Sequence, residues 1–435
     1  MNILRAAVFH TPGNPFHSES ALVAVEDGAL AVESGRIAAC GDYAAVRASY
    51  PDATVRDLRG GYLLPGFIDT HVHFPQVRIV GGLGYSLLDW LECLTLPEEA
   101  RMGDVAYAGT IAGEFVSHLA AHGTTTALVF GSHFAGATAA LFEAAECAGL
   151  RVISGLVLAD RKLRPELHHA PEAAYAESEA LIKRFHGTRG DKGKLRYAVT
   201  PRFAFSASEE MLRVCEALLQ RNPDLHFTTH MNENLQEVQE VARLFPWAGD
   251  YLEVYEKFGL TARRSVFAHS VQSTGAEMQR LAAQECSVAH CPASNAALGS
   301  GIFPLRRHLE AGVRVALGTD VGGGTGFGMM KEALQAYLMQ RVAREAVTMT
   351  AGQMLYLATR AGAEALALDA ETGDFGVGKA ADYVYLRAVE GSPLAGVLRG
   401  VEEPARKLAA ILTLAGAETV REVSVEGHPI YEAGV

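Results

Sequence analysis

Pro65-Gly66-Phe67-Ile68-Asp69-Thr70-His71-Val72-His73-Phe74-Pro75-Gln76 reads as a buried strand that ends in two histidines one residue apart. In an extended strand, residues i and i+2 point to the same face. His71 and His73 therefore aim two imidazoles at one point, which suits a bound divalent metal. The pair alone is a short motif that surface strands also carry. What lies on either side of it has to decide.

Downstream, short β-branched runs alternate with helical segments. The strands are Leu63–His73, Thr124–Phe130, Arg151–Asp160, Leu195–Arg202, Leu225–Asn232, Ser265–Val271, Cys286–Pro292 and Arg314–Asp320, with amphipathic helices such as Ser208–Gln220 and Ala276–Gln284 between them. Apolar strands alternating with helices predict a parallel sheet. Eight such units predict an α/β fold of the (β/α)8 TIM type, with its active site at the C-terminal ends of the strands. Residues 1–62 and 369–435 carry short apolar runs punctuated by turns, such as Ala29–Val32, Val420–Val425 and the run Lys407–Leu414 read with them. Both termini are expected to form one small β-sandwich domain beside a barrel spanning 63–368.

The chain has 435 residues, 49% hydrophobic and 20% charged, and a net charge of −12. Its basic residues form no run or stripe, which argues against nucleic acid as a partner. No apolar run approaches the roughly 20 residues of a membrane span, and the N-terminus lacks the apolar core of a secretory signal. The six cysteines show no C-x-x-C pairing and are read as reduced, buried thiols of a cytoplasmic protein.

A metal site at the barrel mouth needs further ligands at other strand ends. Strand five ends Thr229-His230-Met231-Asn232-Glu233, strand six Ala268-His269-Ser270, and strand eight Gly318-Thr319-Asp320. Each alone is as readily a hydrogen-bonded core or capping residue. Together with His71 and His73 they converge on one pocket. Nitrogen and carboxylate donors without thiolate suit one divalent ion, zinc or iron. His71, His73, His230 and Asp320 would leave an open position for water. Asp320 could take that water's proton. His269 could hold the water or add a ligand, and the sequence does not separate the two. Glu233 is a helix-start charge or a proton shuttle, and this context favours the shuttle.

This set, in this order, resembles the amidohydrolase superfamily, and so do Pro65–His73 and Gly378-Lys379-x-Ala381-Asp382. Strand four ends Val199-Thr200-Pro201-Arg202 without the lysine that bridges two metals, so the resemblance is to the mononuclear deaminases. Phe74-Pro75-Gln76, Thr200-Pro201-Arg202-Phe203-Ala204, Thr229–Asn234 and His290-Cys291-Pro292-x-Ser294-Asn295 are similar to the guanine deaminases within it. The resemblance implies hydrolytic conversion of guanine to xanthine and ammonia, with Glu233, Asp320 and His269 catalytic. It implies that Gln76, Arg202, Phe203 and Trp90 bind the base. It also implies a homodimer. Without it, Arg202 reads as a surface ion pair, and Phe203 and Trp90 as core packing. His290 is expected to be structural. Two rivals stand beside this reading. One is a deaminase of another amino-heterocycle such as 8-oxoguanine, a pterin or a triazine; the other is a non-catalytic barrel serving as a scaffold, which would have no reason to keep the ligand set.

Overall fold

The structure, a computed structural model, describes residues 1–187 and 193–434. Its strands are β1 (Asn2–His10), β2 (Val23–Glu33), β3 (Arg36–Asp42), β4 (Thr54–Pro65), β5 (Phe67–His73), β6 (Thr124–Phe130), β7 (Arg151–Gly155), β8 (Val157–Leu158), β9 (Leu195–Pro201), β10 (His226–Met231), β11 (Ser265–His269), β12 (Ser287–His290), β13 (Arg314–Leu317), β14 (Tyr383–Leu386), β15 (Val420–Val425) and β16 (His428–Glu432).

β5, β6, β7, β9, β10, β11, β12 and β13 lie side by side in chain order and pair in parallel, with β8 a short continuation beside β9. The two outer strands of this set approach each other. Thr70 Oγ1 donates to the carbonyl of Leu317, and the Asp320 amide donates to the carbonyl of His71, each at 2.8 Å. The sheet is a nearly closed (β/α)8 barrel. Ile68, Leu128, Ile153, Ala198, Val266 and Ala289 pack inside it, with Leu366 and Leu368 against them. Phe67, Val129, Val152, Val199, Phe267 and Val288 face the surrounding helices instead. That two-residue alternation is why these runs form strands rather than helices.

One strand breaks the alternation where it matters. On β5 the inward residue is Ile68, yet the histidines that face inward are 71 and 73. The pairing of β5 with β6 shifts register between Asp69 and Val72. Such an irregularity changes which parity points inward.

Both termini meet in a separate seven-stranded sheet, ordered β16-β15-β14-β4-β1-β2-β3. On β1, Ile3 packs with Ala29, Ala31 and Val46, while Leu4, Ala6 and Val8 pack on the opposite face with Leu63 and Tyr383.

Three local expectations are corrected. Leu63–His73 is not one strand: Leu63–Pro65 belong to β4 and pair with β14, and β5 begins after Gly66. A Cβ on Gly66 would sit 2.2 Å from the Thr125 side chain, so only glycine passes there. Lys407–Leu414 is part of the helix Pro404–Leu414, which buries Leu408, Ile411 and Leu412 at helical spacing. The six cysteines are free, but only Cys215, Cys286 and Cys291 are buried; Cys93 and Cys147 are exposed and Cys40 is half-buried. Among the described residues no helix is long and apolar enough to cross a membrane.

Candidate active site

The strand ends bring the polar residues together at the barrel mouth. His73 Nε2 lies 3.3 Å from His71 Nε2 and 3.1 Å from His230 Nε2. Asp320 Oδ1 lies 3.4 Å from His71 Nε2 and 3.3 Å from His73 Nε2. Four donors 2.0–2.1 Å from a shared tetrahedral centre would be about 3.3–3.4 Å apart. His71, His73 and Asp320 thus have the mutual spacing of ligands around one small cation, and His230 Nε2 has it to His73. Imidazole lone pairs facing each other so closely repel unless a cation lies between them. His269 stands further out, its Nε2 3.9 Å from Asp320 Oδ2 and 3.5 Å from Glu233 Oε2. It belongs to a second possible ligand group with His71 and His230.

The surroundings orient these rings. His230 Nδ1–H donates to the Arg202 carbonyl at 2.6 Å, which leaves Nε2 bare towards the cluster. His269 Nδ1–H donates to Asn295 Oδ1 at 2.9 Å; burial opposes a charge on this ring, but Glu233 and Asp320 outweigh it and raise its pKa. Phe130 floors the group, its ring centroid 4.5–5.0 Å from those of His71, His73 and His230. Asn232, His269 and Asp320, at three strand ends, adopt left-handed backbone with φ of 53°, 74° and 48°. Strain of this kind persists where surrounding structure holds it, as at functional sites. Burial keeps His71 and His230 neutral, with their pKa values well below the usual imidazole range.

Glu233 follows β10, fully buried. Burial pushes its pKa up to about 7, and Ser300 Oγ donates to its Oε1 at 3.2 Å. Above the cluster lies a narrow cavity. His73, Gln76, Trp90, Arg202, Phe203, His230, Glu233, His269 and Asp320 line it, with Leu87, Leu91 and Leu298. All ten residues singled out in the sequence are therefore within one site, with His71 beneath the cavity. Gln76 Oε1 and Trp90 Nε1 are buried without a hydrogen-bond partner, an acceptor and a donor left for a ligand. Arg202 is in an ion pair, but a buried one, with Glu99. His290 lies outside the ligand group, stacked on Phe303 at 4.3 Å.

A model of the amidohydrolase family matches residues 62–430. The chain belongs to the amidohydrolase family. A short second match, residues 28–53, is to an imidazolonepropionase-like composite domain of bacteria. The chain is 58% identical to a probable guanine deaminase of Deinococcus radiodurans, over 99% of both chains. Among solved structures it is similar to E. coli guanine deaminase, with 37% identity, complete coverage of both chains and a TM-score of 0.95. It is also similar to a guanine deaminase from C. acetobutylicum with bound guanine in the active site, with 25% identity, coverage of 99% and 100%, and a TM-score of 0.90. In this amidohydrolase, reading the sequence assigned no role to three residues that support the site. They are Phe130 under the histidines, Ser300 on Glu233 and Glu99 behind Arg202. Phe130 ends a strand and so could have been suspected; Glu99 has no such signal.

Proposed function

We propose that this amidohydrolase removes the C2 amino group of guanine by hydrolysis, giving xanthine and ammonia. The observation that supports the reading is the cavity, lined by Arg202, Gln76 with its unpartnered Oε1, Glu233 and the His/Asp cluster. The guanine deaminases it resembles over the full chain support it.

His71, His73, His230 and Asp320 would hold one divalent ion, zinc in this reading, with iron suited to the same donors. When bound, such an ion supplies Lewis acidity, which makes hydroxide available near neutral pH. The protein does the rest. Arg202 donates to O6 and Gln76 Oε1 accepts from N1–H, while Phe203 stacks on the base and Trp90 closes its face. C2 is thereby presented to the attacking water. Asp320 takes the water's proton. His269, its Nδ1–H committed to Asn295, steadies the water through Nε2. Glu233 passes the water's other proton to the ring nitrogen beside C2, and then relays the proton held by Asp320 to the amine as its bond to C2 breaks. A carboxyl whose pKa is raised to about 7 both gives and takes a proton at neutral pH. The reading includes a cytoplasmic homodimer serving purine breakdown. Leu338 and Val342, exposed on the helix Met329–Val342, support a face that a second copy covers.

The test is ammonia release from purified protein of measured metal content, offered guanine, 8-oxoguanine, a pterin, an aminotriazine, adenine and cytosine. Guanine is expected to be turned over fastest. A fully metallated protein that leaves guanine untouched rejects the reading, and faster turnover of another heterocycle replaces guanine with it.

A further inference from the structure

Behind the residues that face the base lies a carboxylate with no role in the mechanism above. Glu99 sits on the short helix Leu96–Ala100 and is 3% exposed. Both its oxygens accept from Arg202 Nη1 at 2.8 Å, and Oε1 also accepts from Gln76 Nε2 at 2.9 Å. His133 Nε2 lies 3.4 Å from Oε2. An ionised carboxylate accepts hydrogen bonds and has none to donate. Gln76 must therefore turn its NH2 group to Glu99, because the flipped amide would set a carbonyl against a carboxylate. Its Oε1 is thereby directed away, where it has no protein partner. The same carboxylate holds Arg202 in place through Nη1.

We propose that Glu99 is a positioning residue that determines specificity. It fixes the hydrogen-bond polarity of the edge that reads the base, with Arg202 as donor and Gln76 Oε1 as acceptor. The inference rests on the guanine reading above. Guanine offers this edge an acceptor, O6, beside a donor, N1–H. 2,6-Diaminopurine carries the same amine on the same carbon but reverses the edge, with a donor amine at C6 and an acceptor at N1. A site of fixed polarity leaves buried groups unpaired against the second purine and so rejects it.

Glu99→Gln is the test. Its amide both donates and accepts, so Gln76 is no longer held one way. The KM for guanine is expected to rise roughly 10- to 100-fold, the worth of a hydrogen bond to a charged group. kcat is expected to change little, as for loss of uniform binding. The kcat/KM preference for guanine over 2,6-diaminopurine should fall by about tenfold or more, with metal content unchanged. A purely structural role would lower Tm and leave that preference alone. Glu99→Asp keeps the charge on a shorter stem, and so should raise KM while keeping the preference. This second variant decides the matter if Glu99→Gln does not fold. Wild-type KM and preference in folded Glu99→Gln, or lost preference in Glu99→Asp, overturns the proposal. Absence of guanine turnover in the metallated wild type overturns the activity reading instead.

Discussion

The Nδ1–H of His230 donates to the backbone carbonyl of Arg202 at 2.6 Å. One hydrogen bond thus ties a ring of the candidate ligand cluster to the residue proposed to face the base from the next strand. The bond also settles the tautomer. A carbonyl can only accept, so Nδ1 carries the proton and Nε2 is bare. That lone pair faces His73 Nε2 at 3.1 Å, inside the cluster.

That arrangement predicts a strong link between metal and stability. Exhaustive chelation should abolish turnover and lower Tm, because an ion bound only by the native state stabilises it by mass action. At 100-fold excess over its Kd this is about 2.7 kcal/mol. Zinc added back should restore both. Calorimetry with and without chelator checks it, and an unchanged Tm after verified metal loss counts against the cluster as a metal site.

Glu233→Gln should keep metal content and Tm while kcat falls by about 10²- to 10⁴-fold, the range for a positioned acid–base group. The amide can still accept from Ser300 Oγ but cannot carry a proton to the purine. Rates near wild type, with metal content measured on the same sample, would remove Glu233 from the mechanism.

Gly322 lies against Gln76. A Cβ there would sit 2.0 Å from Gln76 Oε1, and the backbone φ of +116° is one that other residues rarely adopt. Gly322→Ala should displace the Gln76 acceptor and raise the KM for guanine by about tenfold, roughly the worth of one hydrogen bond. Metal content should not change, since Gln76 is not in the ligand group. Steady-state kinetics beside metal analysis separates the two effects.

What could be read in advance depended on whether a residue's role shows in local pattern. The barrel was legible because each strand is a short apolar run, and the site because polar residues close those runs at the end where a parallel barrel opens. His230, His269 and Asp320 announced themselves by that position. Lys407–Leu414 did not announce a helix, since a short apolar run satisfies either period. Glu99 was hidden for a different reason. It adjoins Glu98 on one short helix, and no spacing distinguishes the carboxylate that turns to Arg202 from the one that pairs with Arg101 at 2.8 Å. Only the path of the chain over the barrel mouth makes the difference.

Asp382 joins the two sheets. Its Oδ2 lies 3.1 Å from Nη2 of Arg151, a fully buried arginine at the start of β7, and also accepts from Thr372 Oγ1 at 2.8 Å. Its Oδ1 accepts from the Glu426 amide at 2.8 Å. Removing one partner of a buried pair strands the other charge, at about 3–5 kcal/mol. Asp382→Ala should therefore unfold at much lower denaturant, with kcat/KM per folded molecule unchanged because the pair is remote from the cavity. A loss below about 1 kcal/mol would mean that water or Glu426 takes over the arginine.

His10 predicts an acid limit to stability that is independent of the active site. It is buried on β1, and its Nδ1 accepts from the Phe375 amide at 3.3 Å, which requires the neutral ring. Burial lowers its pKa from 6.5 to about 4. Between those values the unfolded chain binds a proton that the folded chain does not, so stability rises with pH there. His10 thus contributes fully above about 6.5, and its contribution is lost as pH falls towards 4, by about 3 kcal/mol in all. His10→Gln can keep an acceptor for Phe375 without titrating. Its Tm should fall less than wild type's between pH 7 and pH 4.5, with the two curves converging on the acid side. Parallel curves across that range would show that His10 is not the group that titrates.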